Sequence, residues 1–193
     1  LAICAARLRT QGGRELQEDQ GQPGTPEEGW SIQFNGNVYS NNGALPVDID
    51  GSIINYSDDG TKLVAIWQGV KNGLEITSKT YFPKGALYFV TEVTVRNVSP
   101  STVSNIYYMR NVDPDQEATM GGTYSTNNSI AYQTPNSSNT ALVTATGTIY
   151  GCYLGLGARD CRARVTHGGF SNRNPVDVWN GVGLNNSGTL ENV

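Results

Sequence analysis

From Trp30 onward, apolar and polar positions alternate with a period of two in short runs, and no stretch holds the 3.6-residue period of a helix. The clearest run is Leu87–Asn97 (LYFVTEVTVRN). Leu87, Phe89, Val93 and Val95 fall on one face and Glu92, Thr94 and Arg96 on the other, the pattern of a half-buried strand. Similar runs predict strands at Trp30–Phe34, Ser52–Tyr56, Lys62–Gln68, Leu74–Phe82, Val103–Val112, Ser129–Thr134, Ala141–Ala145, Tyr150–Leu156 and Arg162–His167. Turn residues punctuate them: Asn35-Gly36, Asn41-Asn42-Gly43 and Pro83-Lys84-Gly85-Ala86. Asp50-Gly51 and Asp59-Gly60 are dipeptides suited to type I′ hairpins, whose two central residues both need positive φ. The pattern predicts an all-β fold, a large antiparallel β-sandwich of about a dozen strands over residues 30–193. Residues 1–29 differ. After a short apolar start (Leu1–Ala6) they are polar, lack aromatic residues and have little to bury, so they read as a linker or an extended N-terminal arm. A short helix over Ala5–Arg9 is compatible with the pattern.

Composition supports a secreted or surface β protein: 37% of residues are hydrophobic, only 16% are charged, and 23 of the 193 are glycine. Thirteen scattered Lys and Arg and a net charge of −4 exclude the clustered cations that nucleic acid requires. No apolar run reaches the roughly 20 residues of a membrane-spanning helix. The opening run is too short for a signal core and no basic segment precedes it, so the chain reads as a piece of a longer one. Three cysteines do not make a disulfide scaffold. Cys152 and Cys161 flank a glycine-rich connection (GCYLGLGARDC); a hairpin there would bring them into bridging range, and two separate thiols are the alternative. Cys4 is left over in either case. With a single His, His167, and no Cys-x-x-Cys pair, zinc is not expected.

Candidate chemistry concentrates at Asn111-Val112-Asp113-Pro114-Asp115-Gln116-Glu117, where a strand runs into a proline that cannot donate to a ladder. Asp113, Asp115 and the amide oxygen of Gln116 are the hard oxygen donors that calcium takes. A solvated turn in which the aspartates cap backbone amides is the alternative. Downstream, Gly122, Tyr124, Ser125 and Asn127 belong to a loop (GGTYSTNN) of hydroxyls and amides suited to a polar ligand. A second loop, GGFSNRNPVD at 168–177, carries Asn172 and Arg173; Arg173 either clamps a ligand carboxylate or pairs with Asp177. Asp48-x-Asp50-Gly51 starts like an EF-hand loop but lacks its later ligands, so a hairpin turn is the better account. His167 lacks a neighbouring partner for general-base work, and no nucleophile elbow is present, so catalysis is not expected. Asn-x-Ser/Thr sequences at Asn55, Asn97, Asn127, Asn136 and Asn185 would be glycosylated only in a eukaryotic secretory pathway.

The runs NVDPDQE, GGTYSTNNSIAYQ and YLGLGARDCRARVTHGGFSNRNPVDVWNG resemble the calcium-dependent peptide-binding (ligand-binding) domains of large bacterial RTX biofilm adhesins. The resemblance spans about Trp30 to Gly181; the arm at 1–29 and the Cys152/Cys161 pair depart from it. It implies an extracellular or cell-surface adhesion domain that grips a short peptide, typically at its C-terminal carboxylate, with calcium at Asp113, Asp115 and Gln116. The GGTYSTNN and GGFSNRN loops would form the pocket walls. Two rival readings accompany it. One is a structural subunit of an extracellular filament, assembled through residues 1–29. The other is a carbohydrate-binding module that stacks sugars on Trp67, Tyr124 or Trp179.

Overall fold

The computed structural model describes residues 2–3, 28–42, 47–167, 173–180 and 187–190. Its strands in chain order are β1 (Ala2–Ile3), β2 (Glu28–Phe34), β3 (Asn37–Asn42), β4 (Gly51–Asp58), β5 (Lys62–Lys71) and β6 (Leu74–Pro83). They continue with β7 (Phe89–Asn97), β8 (Tyr107–Val112), β9 (Thr126–Tyr132), β10 (Ala141–Gly147), β11 (Tyr153–Ala158) and β12 (Ser187–Leu190). Three antiparallel sheets result, ordered β1-β7-β6-β5-β4, β3-β2-β8 and β11-β10-β9-β12. The fold is all-β and sandwich-like.

Two apolar clusters hold the sheets. The larger joins Ile32 and Phe34 of β2, Leu74 and Ile76 of β6 and Ile49, with Trp30, Trp67, Val93, Val95 and Tyr108 packed around them. The smaller joins Ala141 and Val143 of β10 to Val165, with Ile130 and Leu156 alongside. Along β10 every second residue is buried (Ala141, Val143, Ala145, Gly147), which is strand periodicity with one face inward.

Tight turns follow Asn-Gly rather than Asp-Gly. Asn35-Gly36 and Asn72-Gly73 both place two residues at positive φ (49° and 78°; 47° and 78°), and they close β2–β3 and β5–β6. The type I′ expectation for Asp50-Gly51 and Asp59-Gly60 is corrected. Gly51 opens β4, and at the second site only Gly60 has positive φ. The Asp59 side chain braces that connection instead, accepting from Thr61 Oγ1 at 2.6 Å and from the backbone N–H of Thr61 and Lys62 at 2.9 Å. Those bonds, the Thr61 hydroxyl foremost, draw its carboxyl down to about 2.

Other expectations shift in detail. β8 begins at Tyr107 rather than Val103, because Asn105 sits at φ 52° and Ser104 is hooked to the first turn. There the Ser104 N–H donates to Asn35 Oδ1 at 2.9 Å and its carbonyl accepts from Asn35 N at 3.0 Å. Leu87 is 62% exposed and lies outside β7. Arg162–His167 is not a strand: Asp160 turns the chain by accepting from Arg162 N at 2.9 Å. Val165 is then held by Gln133, whose carbonyl accepts the Val165 N–H and whose amide donates to the Val165 carbonyl. The connection Cys152–Cys161 is not a hairpin but the strand β11, about 20 Å long at 3.3 Å per residue, with one cysteine at each end. That separation forbids a bridge, and both thiols are free. A helix that periodicity did not announce, α1 (Pro175–Asn180), packs against β2 and β8. Of the expected arm, Ala2–Ile3 pairs with Phe89–Val90 and residues 28–29 belong to β2; the remainder, with Ala5–Arg9, lies outside the described residues.

Candidate functional site

The corner after β8 is a constructed feature rather than a solvated turn. Asp115 is 2% exposed and Glu117 1%, while Asn111 and Asp113 are half-buried. Glu117 turns away from its neighbours and closes the loop between β10 and β11. Its carboxylate accepts from Ile149 N at 2.9 Å, Tyr150 N at 2.8 Å and Cys152 N at 3.0 Å. Burial alone would raise this carboxyl, but the backbone amides of Cys152, Ile149, Tyr150 and Gly151 outweigh it and hold the group below its ordinary value. Two glycines make room. A Cβ on Gly147 would lie 2.0 Å from Glu117 Cδ, and one on Gly122 would lie 2.7 Å from Glu117 Cβ. Glu117 is therefore the anchor of the corner.

Gln116 bridges the same two strands' ends. Its amide nitrogen donates to the carbonyls of Ala145 at 3.3 Å and Cys152 at 3.0 Å. Two carbonyl acceptors settle which end of the amide is nitrogen. Oε1 then points the other way, buried and without a hydrogen-bond donor. Among the described residues, no three His, Cys, Asp or Glu side chains cluster as a metal-ligand group.

The expected loop residues fall beside this corner. Gly122 N–H donates to the Glu117 carbonyl at 2.9 Å, and Ser125 N–H to Thr123 Oγ1 at 3.3 Å. Thr123 and Thr148 share a hydroxyl contact at 3.0 Å, which ties the loop to the β10–β11 connection. Tyr124 is 41% exposed, and Asn127 is an exposed residue of β9 opposite Thr146. Asn172 lies outside the described residues. Arg173 is half-buried immediately before α1. The adjoining Asn174 is a helix cap: its Oδ1 accepts from Val176 N at 3.0 Å and Asp177 N at 3.4 Å. Asn-Pro at a helix start was the signal that the sequence reading assigned to a ligand loop. Of the aromatic platforms, Trp67 packs edge-on against Trp30 at 5.5 Å in the core periphery, Trp179 is covered on one face by the Arg164 guanidinium at 5.3 Å, and Tyr124 is exposed.

Behind the corner lies a cavity of about 850 Å³. Its walls come from all three sheets: Val93 and Val95 of β7, residues 107–112 of β8, Val143 and Ala145 of β10, Leu154 and Leu156 of β11. Residues 160–167 and α1 close it, and the exposed lining residues Ile106, Arg162 and Trp179 mark where it meets solvent. Tyr108 in the same wall stacks on Trp30 at 5.8 Å, and burial, opposed by Arg110, pushes its hydroxyl up to about 12. His167 is buried in this wall at 7% exposure, and neither ring nitrogen has a hydrogen-bond partner. Nothing in its sequence spacing announced that.

No protein-family model, no curated protein and no solved structure matches the chain.

Proposed function

We propose that this chain is a non-catalytic binding domain of an extracellular bacterial adhesin, in which calcium at Asp113, Asp115 and Gln116 helps grip a short peptide by its C-terminal carboxylate. The observation that carries the reading is the orientation of Gln116. Its amide nitrogen is fixed by two carbonyls, which leaves Oε1 as a buried acceptor on the residue that follows the buried Asp115 in the chain. A hard cation satisfies such an oxygen, and flexible corners of carboxylate, amide and backbone oxygens are what calcium accepts. A bound divalent ion would also offset the repulsion between an acidic chain and a ligand carboxylate. Tyr124 and Ser125 stand on the adjacent loop as peptide contacts, and Gly122 carries the backbone of that loop past Glu117. Arg173 as a ligand contact belongs to the same proposal.

Thermal unfolding in EDTA, in millimolar calcium and in millimolar magnesium tests it. The expected result is a calcium-specific rise in midpoint that Asp113→Ala/Asp115→Ala removes, and calcium-dependent binding of peptides with free rather than amidated C-termini. A midpoint indifferent to calcium in the unaltered chain would contradict the reading.

A further inference from the structure

We infer that the cavity between β8, β10–β11 and α1 is a second binding site, for a small amphipathic carboxylate whose hydrocarbon body fills the apolar chamber. The site lies behind the cation corner, with Asn111, Val112 and Pro114 in its wall, and takes its ligand without calcium. Its volume, about 850 Å³, lies in the range of pockets that enclose small organic ligands rather than that of packing defects. The walls are mostly apolar: Val93, Val143, Ala145, Leu154 and Leu156 face it, with Tyr108 on one side. Water at the mouth finds polar partners, but along the apolar walls it finds few of the two to four it needs. A hydrocarbon chain needs none.

The polar groups in the wall specify the head. His167 is more than nine-tenths buried, and both imidazole nitrogens lack partners, so the folded chain carries a desolvated donor and acceptor with nothing to satisfy them. Three arginines line the same chamber, and two are already engaged by acids, Arg110 with Glu28 and Arg162 with Asp160. Arg164 is not: its Nη1 donates to the Trp179 carbonyl at 2.5 Å, and its guanidinium lies 5.3 Å from the Trp179 ring centroid. Arg164, exposed at the mouth, and His167, buried in the wall, are three residues apart, at most about 10 Å along the chain, and both line the pocket. The arginine supplies the charge and the imidazole a hydrogen bond.

The test is calorimetric titration of the intact chain with laurate, once in EDTA and once in calcium. One saturable site of equal affinity in both is expected. His167→Phe keeps the ring shape but removes both nitrogens; it should weaken laurate at least about tenfold without lowering the thermal midpoint. Leu154→Trp should abolish binding with the β-sheet circular dichroism retained. Should that variant fail to fold, quenching by bromolaurate decides: the fluorescence lost must be that of Trp179, isolated as the difference from Trp179→Phe. Absence of saturable binding, affinity unchanged in His167→Phe, or quenching that spares Trp179 would each overturn the inference. Binding that requires calcium would overturn it too, by placing laurate at the cation corner.

Discussion

Glu117 is the residue on which the corner turns. A carboxylate buried to 1% exposure and surrounded by backbone N–H groups is an internal brace, and its charge is what those amides are arranged to hold. Glu117→Gln replaces an acceptor-only group with one that also presents donors to donors. The expected cost is about 2–4 kcal/mol from charge-assisted bonds, or a midpoint lowered by roughly 10 °C for a chain of this size. Calorimetry or circular dichroism melting reads it. The pH dependence has a definite sign. The folded carboxyl titrates below its reference of 4.5, so its contribution is complete above that value and is lost as pH falls through the lower folded one. The unaltered chain should therefore lose stability on acidification below about 4.5 more steeply than Glu117→Gln. The sequence already grouped Glu117 with its neighbours as oxygen donors. Nothing in a run of D-P-D-Q-E says which carboxylate folds back onto a loop more than thirty residues later, because that depends on Gly147 leaving space for it.

At the level of elements, alternation was readable wherever one face of a strand is buried. β6, β7 and β10 lie close to where their apolar positions put them. Their ladders add exposed cross-strand pairs, such as the bidentate Arg96–Glu75 contact at 2.9 and 3.1 Å. Failures came where side chains replaced ladders: Gln133 clips 160–167 without a strand, and Ser104 is drawn to Asn35 instead of extending β8. The hairpin signals were right in kind but misassigned, since Asn tolerates left-handed backbone better than Asp, whose carboxylate here braces a different turn. Two glycines with similar φ give a direct comparison. Gly73 (φ +78°) closes a type I′ turn, and a Cβ there would sit 2.5 Å from Ser99 Cβ. Gly60 (φ +86°) has nothing within 4 Å. Gly60→Ala should cost about 1 kcal/mol from backbone strain alone, and Gly73→Ala roughly 2 kcal/mol or more, from strain plus displacement of the 97–101 turn. Urea denaturation that ranked them equally would show that Ser99 moves aside freely.

On the scale of the whole molecule, strands of three antiparallel sheets line a pocket that opens to solvent, and a carboxylate corner stands at the end of one of them. The all-β class was legible because it rests on residue type and period alone. The chamber was not, because its walls are drawn from β7, β8, β10, β11 and α1, and only the tertiary arrangement brings them together. His167 illustrates the gap: a lone histidine in the sequence is an unpartnered imidazole in a wall once the fold is built. The corner lies between these cases. Its donors are adjacent in the chain, and what the fold adds is the direction of each: Glu117 inward to the 149–152 amides, and Gln116 with nitrogen toward Ala145 and Cys152. The central claim is that this arrangement holds calcium. Calorimetric titration of calcium into the chelator-stripped chain addresses it most directly. One saturable site, selective over magnesium and lost in Gln116→Ala with the fold retained, is the expected result; no calcium binding by the folded, unaltered chain would contradict it.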